Sequence, residues 1–379
     1  MRSTVYLIGA GPGAPDLITL RGYRCLQQAD VVIFDHLVHP DLLTVAPAHA
    51  ERIDVGSAAP EPRDQEAICY LLAEKAREGK IVARLKWGDP FFFDRGGEEA
   101  LFLHEQGVNF EVVPGVPAAV GATAYAGIPI TYPGGGDTVT FVRGHEDEGR
   151  EKARVRWDSL AELDGTIVCY AGPKALPKML QSLIEHGRSP DEAAAIIIQG
   201  TLSSQRTIAG TLQELAERLE EQPITEAALL IVGKVVNFRE HLRWFDSRAL
   251  FGRRALVMDS SDEPGDLADL LRAHGADVVS DTNADVDVYR QLLDRKIDLV
   301  TFTSASAVLN FAANYGADQA SDLLGHTVVA TLGAAAADAA NRAHISPAVQ
   351  LEEGSLGSFA EAIAASFRNQ PTEESSAKA

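Results

Sequence analysis

The chain has 379 residues, enough for two or three domains with a sizeable buried core. Its formal net charge of -20 argues against a general binder of nucleic acid or of anionic membrane surfaces. The acid is unevenly spread: from Phe251 onward there are 9 basic and 19 acidic residues, which points to a separate unit in the last third. Cys25, Cys69 and Cys169 are far apart and read as reduced thiols in a cytoplasmic protein, with no metal-type pair. Val5-Tyr6-Leu7-Ile8 is too short for a signal peptide, and no apolar run reaches the roughly 20 residues that span a bilayer.

Val5-Tyr6-Leu7-Ile8 reads as a buried strand entering the glycine loop Gly9-Ala10-Gly11-Pro12-Gly13-Ala14-Pro15-Asp16. A helix capped by Asp16 or Thr19 follows, with Leu17, Leu20, Tyr23 and Leu26 on one face, and then a strand, Val31 to Phe34, ending at Asp35. This β-α-β opening predicts a parallel sheet with helices on its faces. Gly9, Gly11 and Ala14 satisfy a loose dinucleotide pattern, with Asp35 where a ribose-binding acid would sit. However, Pro12 removes a backbone donor and Pro15 disfavours helix at Ala14, so the loop is poorly built for a phosphate. It suits a neutral or cationic ligand pressed against the backbone; a tight turn without any ligand is the other reading.

Ala67 to Glu78 is an amphipathic helix closed by Gly79. The short strand Ile81 to Leu85 then runs into Lys86-Trp87-Gly88-Asp89-Pro90-Phe91-Phe92-Phe93-Asp94-Arg95-Gly96-Gly97-Glu98-Glu99, and a helix continues to Gln106. This strand-to-helix turn mixes small, charged and aromatic residues, which marks it as a place that holds a small molecule beside an acid and a base. Phe110 to Val113 is a strand, followed by a helix of small residues from Ala119 to Tyr125 that allows close approach of a ligand or a neighbouring helix. Gly127 to Gly136 reads as a linker or lid. Beyond it, strands at 138–142, 166–170, 195–198 and 228–232, with helices at 175–186 and 211–220, form a second α/β unit. Strands at 255–258, 299–302 and 328–332, with helices between them, form a third. The tail from Asn369 is expected to be disordered.

These residues together resemble one family. Gly9-Ala10-Gly11-Pro12-Gly13 with Pro15 to Gly22, Asp35-His36-Leu37-Val38, Trp87-Gly88-Asp89-Pro90-Phe91 with Arg95 to Glu99, Pro114-Gly115, Ala124 to Pro129, Gly144-His145, Gly200-Thr201 with Gln205-Arg206, and Val232 to Val236 are similar to the uroporphyrinogen-III C-methyltransferases of the tetrapyrrole methylase superfamily. The likeness covers roughly residues 3 to 245. It implies an α/β fold of two methylase domains, 1–134 and 135–245, with S-adenosyl-L-methionine in the cleft between them. It also implies two C-methylations of uroporphyrinogen III, giving precorrin-2 for sirohaem and cobalamin, by a homodimer. By position, the cofactor-binding places are Pro12, Trp87, Gly88, Asp89, Phe92, Pro117, Ala118, Ala171 and Gly200. Asp35 falls on the acid-base position, and Arg95 and Glu98 on positions that handle substrate. A strand-end cap for Asp35 and a helix-start salt bridge for Arg95 with Glu98 or Glu99 are the plainer alternatives.

The chain departs from the family pattern at several places. Trp87 stands where glycine is usual, Pro117-Ala118 replaces Thr-Ser or Thr-Ala, Ala171 replaces methionine, and Ser57 and Pro133 replace basic residues. Arg143 precedes Gly144-His145 where threonine is frequent, adding a cation suited to an eight-carboxylate substrate. Three rival readings stay open: methylation of another corrinoid precursor, a non-catalytic tetrapyrrole-binding protein, and a dinucleotide-dependent oxidoreductase. Residues 252–368 resemble about half of uroporphyrinogen-III synthase, with Tyr289 near that family's important tyrosine and Ala336-Ala337 where Thr-Ala is expected. That third therefore reads as a remnant without synthase activity.

Overall fold

The computed structural model describes residues 4–56, 59, 63–135, 137–144, 155–258, 265–280 and 287–368. Ser57, His145 and the tail from Asn369 lie outside the described residues. The chain divides into two compact units, Met1–Arg243 and Trp244–Ala379.

The first unit holds two five-stranded sheets. The first contains β1 (Val5–Gly9), β2 (Val31–Phe34), β3 (Glu51–Asp54), β4 (Val82–Lys86) and β5 (Phe110–Val113) in the order β3-β2-β4-β1-β5, all parallel. The helices are α1 (Leu20–Leu26), α2 (Pro40–Thr44), α3 (Gln65–Arg77), α4 (Gly96–Glu105) and α5 (Ala118–Tyr125). Both faces of this sheet are buried. Val5, Leu7, Val31, Ile33 and Val82 pack on one side with Leu72 and Leu103, while Ile8, Val32, Ala83 and Leu85 pack on the other with Cys25 and Leu26. Strands covered on both faces read as continuous apolar runs, which is why β1 and β2 are plain in the sequence.

The second sheet contains β6 (Val139–Arg143), β7 (Thr166–Ala171), β8 (Ala193–Ile198), β9 (Arg206–Thr211) and β10 (Ala228–Val232), ordered β6-β7-β10-β8-β9. Only the β6–β7 pair is parallel. Helices α6 (Trp157–Glu162), α7 (Leu176–Glu185) and α8 (Leu212–Glu221) accompany it, and α9 (Arg239–Leu242) follows β10. One face packs on α7 and α8, whereas the other, with Val168, Tyr170, Ile197, Leu229 and Ile231, packs on Ala118, Ala119 and Ala122 of α5. Thus α5 belongs to both halves of the unit.

The second unit is a parallel sheet of β11 (Arg254–Met258), β12 (Asp277–Ser280), β13 (Leu299–Phe302), β14 (Val328–Leu332) and β15 (Val349–Leu351), ordered β12-β11-β13-β14-β15. Its helices are α10 (Gly265–Ala273), α11 (Val288–Leu293), α12 (Ala305–Tyr315), α13 (Ala317–Leu323), α14 (Ala334–Arg342) and α15 (Leu356–Arg368).

The first helix differs from the expected stripe. Pro15–Leu17 is a separate 3-10 turn, and α1 starts at Leu20 because Thr19, not Asp16, accepts the Gly22 N–H at 3.1 Å. The buried positions are consequently Gly22, Cys25 and Leu26, and Leu20 and Tyr23 face outward.

At the carboxyl ends of β1, β4 and β5 the backbone is crowded. A Cβ built on Gly115 would lie 2.2 Å from the Gly88 carbonyl oxygen and 2.7 Å from Gly9 Cα. All three residues sit at strand ends, so the strain of a side chain cannot be relieved by a rotamer change. Gly115→Ala is expected to cost about 2 kcal/mol or more in urea unfolding, and an unchanged midpoint would show that the three loops are not locked together.

Candidate active site

Three loops and one helix converge at the carboxyl ends of the first sheet. The loop after β1 and the turn after β4 are zipped by a reciprocal pair: Gly11 N–H donates to Gly88 O at 3.2 Å and Gly88 N–H to Gly11 O at 2.8 Å. Trp87 adds a third tie, donating its indole N–H to Pro12 O at 3.2 Å. Pro12 also lies against α5, where only Gly121 leaves room for its ring: a Cβ there would be 2.5 Å from Pro12 Cγ. On the far side, Gly200 sits so close to Ala122 that a Cβ on it would overlap at 2.2 Å, and Ala14 N–H donates to Thr201 Oγ1 at 2.9 Å. The small residues of α5 therefore admit two loops rather than a neighbouring helix.

These contacts bring eight of the nine sequence-predicted cofactor positions into one region; the side chain of the ninth, Ala171, faces α7 and α8 instead. Pro12 and Gly200 flank α5, and Pro117 and Ala118 begin it. Gly88, with φ 69, faces that beginning, and its Cβ side is open to 3.8 Å from Ala118 N. Asp89 is already committed: Oδ1 accepts Phe91 N–H at 2.8 Å and Oδ2 accepts Gly115 N–H at 2.9 Å. Its carboxylate shapes the turn, which leaves mainly backbone for a ligand. Phe92 packs edge-on to Phe93 at 5.0 Å and to Phe141 at 5.1 Å. Ala171 ends β7 with its side chain in the cluster under α7 and α8, on the opposite face of the sheet from Tyr170, which reaches across to α5.

Asp35 sits just past β2, where Arg84 Nη2 donates to its Oδ1 at 2.7 Å. It is thus one end of a buried ion network, not a strand-end cap alone. Arg84 Nε donates to Glu99 Oε1 at 3.2 Å, Lys86 Nζ to the same oxygen at 2.9 Å, and Gln65 Nε2 to it at 3.1 Å. Lys86 also faces Asp94 at 3.2 Å. Arg84, Lys86 and Glu99 are each 1% exposed or less. Burial pushes the Glu99 carboxyl up, but Arg84 and Lys86 outweigh it and hold it below the ordinary range. Asp94 goes the other way, raised by burial that Lys86 only partly offsets. Arg95 and Glu98 stand apart from this cluster in an exposed pair, 2.6 Å between Nη2 and Oε2.

Arg84 and Lys86 lie outside the motifs that carry the family resemblance. The signal was available: two cations at alternate positions of an otherwise apolar strand share one face, and in a sheet covered on both sides that face has no water. Both then require an acid from the covering helix, and Glu99 on α4 is that acid. Among the described residues no group of three His, Cys, Asp or Glu side chains is arranged to hold a metal ion. A cavity of about 250 Å³ between β9 and α8, lined by Ile196, Ile208, Leu215 and the Arg206–Glu226 pair, contains none of the predicted site residues.

The network makes Glu99 a strong test. Replacing it by glutamine strands two buried cations and is expected to cost about 3 kcal/mol or more at neutral pH. Because the folded-state pKa is lowered, this stabilisation is fully present above the ordinary value of 4.5 and is lost as pH falls through the depressed folded value. The gap between Glu99→Gln and wild type in chemical denaturation should therefore narrow on acidification; a constant gap would contradict the ion-network account.

Comparisons with known proteins identify the family of this chain. The family profile described as Tetrapyrrole (Corrin/Porphyrin) Methylases matches residues 4–216, and that of Uroporphyrinogen-III synthase HemD matches residues 238–361. A siroheme synthase of Thiobacillus denitrificans is 47% identical over 249 residues, 65% of this chain and 52% of that protein. The chain spans about half the length of such siroheme synthases. A uroporphyrinogen-III C-methyltransferase of Priestia megaterium is 46% identical over 235 residues, 62% of this chain and 98% of that protein. Among solved structures, uroporphyrin-III C-methyl transferase from Thermus thermophilus complexed with S-adenyl homocysteine is 36% identical, with a TM-score of 0.54 over 62% of this chain and 99% of that one. With its family profile covering more than half of its residues, the chain belongs to the tetrapyrrole methylases.

Proposed function

We propose that this chain transfers methyl groups from S-adenosyl-L-methionine to carbon atoms of uroporphyrinogen III, giving precorrin-2. The observation that carries the reading is the convergence of the 9–14 loop, the 87–92 turn, the start of α5 and Gly200 on one region. Its chemistry suits this cofactor. The glycine loop has lost a donor at Pro12, and Asp89 consumes the Phe91 and Gly115 N–H groups, so little is left for a pyrophosphate. A sulfonium with no phosphate needs apolar walls and close backbone, which Phe92, Pro117, Ala118 and Gly200 supply. The relatives named uroporphyrinogen-III C-methyltransferase and the S-adenyl homocysteine complex of the Thermus thermophilus protein support the assignment.

In this reading the cofactor supplies an electrophilic methyl group. A pyrrole carbon forms the new C–C bond as the S–C bonding pair returns to sulfur, and the methylated macrocycle then loses a proton. The protein's share is orientation and the acceptor for that proton. Asp35 is the candidate acceptor. Arg84 holds Oδ1, and Oδ2 has no hydrogen-bond partner among the described residues. Arg95 and Glu98 are proposed to face the substrate, whose carboxylates would compete with Glu98 for the Arg95 guanidinium. A second reading, methylation of a later corrinoid precursor, is favoured by a likeness of similar depth to a cobalt precorrin-4 methyltransferase, 30% identical with a TM-score of 0.56. We also propose a homodimer, which sedimentation would test, and a second unit that contributes no synthase chemistry.

Incubation with S-adenosylmethionine and freshly reduced uroporphyrinogen III should yield a dimethylated product by mass spectrometry; none at all would remove the catalytic reading, and methylation only of a more advanced precursor would select the second one. Asp35→Asn should lower kcat about 100-fold or more while S-adenosylhomocysteine binding stays within about twofold, and near-normal turnover would exclude Asp35 as the proton acceptor. Truncation after Ser247 should leave methyl transfer intact, as expected from a relative that ends with the methylase region; a folded but inactive product would refute the separation.

A further inference from the structure

Tyr170 is not among the positions carried over by resemblance, yet it touches several of the elements that carry them. It lies on β7, buried, immediately before Ala171. Its hydroxyl oxygen accepts the Ala119 N–H at 2.9 Å, in the first turn of α5. Its ring meets Phe93 edge-on at 5.4 Å and Phe92 at 5.9 Å. A side chain from the second sheet thus reaches both the turn that follows β4 and the helix that follows β5.

The sequence explains why such a contact is needed. The first-turn N–H groups of any helix lack intrahelical acceptors and are usually served by an N-cap side chain. At α5 the N-cap is Pro117, which has no such side chain, and no side-chain cap is formed. Tyr170 supplies the acceptor from another element. Burial, with the Asp89 carboxylate adding to it, pushes its hydroxyl up to about 12, so the group stays protonated. The aromatic contacts serve a second purpose: Phe93 has φ 54, a backbone conformation that non-glycine residues adopt rarely, and the Tyr170 ring packs against that residue.

We propose that Tyr170 is a positioning residue for the cofactor, holding the Pro117–Ala118 wall and the Trp87–Phe92 wall at a fixed separation before the cofactor enters. The inference rests on the reading that the cofactor binds between these walls. It does not depend on which tetrapyrrole accepts the methyl group.

The test is Tyr170→Phe in the full-length chain, which keeps the ring and removes the acceptor. Calorimetry with S-adenosylhomocysteine should show Kd raised roughly tenfold, the scale of one buried hydrogen bond. The KM for S-adenosylmethionine should rise in parallel, while kcat at saturation and the KM for uroporphyrinogen III stay within about twofold. An unchanged Kd overturns the proposal, and so does an equal rise in both KM values, which would signify general loosening. Wild-type protein that binds no S-adenosylhomocysteine would instead remove the cofactor reading itself, a distinguishable result. Phe93→Leu provides an independent arm that leaves the hydroxyl in place. It should raise Kd by about threefold through the lost ring contact, and if Tyr170→Phe does not fold, a wild-type Kd in Phe93→Leu overturns the proposal.

Discussion

Two positive charges on one face of a central strand constrain much of this molecule. Arg84 and Lys86 follow Val82 along β4, the middle strand of the first sheet, on the face that α3 and α4 cover. Water does not reach that face, so each cation needs an acid, and one oxygen of Glu99 serves both. The position of α4 is therefore fixed by charge as well as by packing. An apolar trio of similar volume would stabilise the fold about as well. What it would not do is orient the acids at the rim, Asp35 through Arg84 and Asp94 through Lys86. The cluster is best understood as a device for placing carboxylates at the end of a sheet.

The same turn is held from its other side by backbone alone. Gly9 and Gly115 leave no room for a methyl group against each other and the Gly88 carbonyl, and Gly121 and Gly200 admit Pro12 and Ala122 in the same way. Close backbone approach brings strand-end loops into one wall without long side chains. It also leaves the wall's remaining polarity to Asp89, whose two oxygens accept N–H groups from two different loops. Charge beneath and contact above together leave the 87–95 segment little freedom.

How far this was legible depends on what each segment buries. The central strands β1, β2, β4, β10 and β13 are covered on both faces and appear as apolar runs, and Thr211 with Glu214 announces α8 through a capping box. The strands that escaped the sequence reading, β3, β9, β12 and β15, are all at sheet edges. An edge strand buries only part of its surface, and Glu51-Arg52-Ile53-Asp54 carries no apolar run to reveal it. The site divided similarly. Glycines, prolines and the turn motif carry local signals, whereas Arg84, Lys86 and Tyr170 depend on hydrogen bonds to Asp35, Glu99 and Ala119, 13 to 51 residues away, that no local pattern names.

Trp87 shows how a departure from a family pattern can be absorbed. A ring in place of glycine would be expected either to point away from the cleft or to reshape it. It lies half-buried against the apolar cluster around α5, and its N–H satisfies the Pro12 carbonyl, an acceptor that a glycine could not reach with a side chain. The neighbouring Gly88 keeps its open side toward Ala118. The bulk has therefore gone into stitching the β1 and β4 loops together, adding a side-chain tie to the two backbone bonds between Gly11 and Gly88. With Asp89 and Trp87 both spent on holding the loops, selectivity in this cleft falls to shape: the apolar rings, the backbone of α5's first turn, and the separation between them.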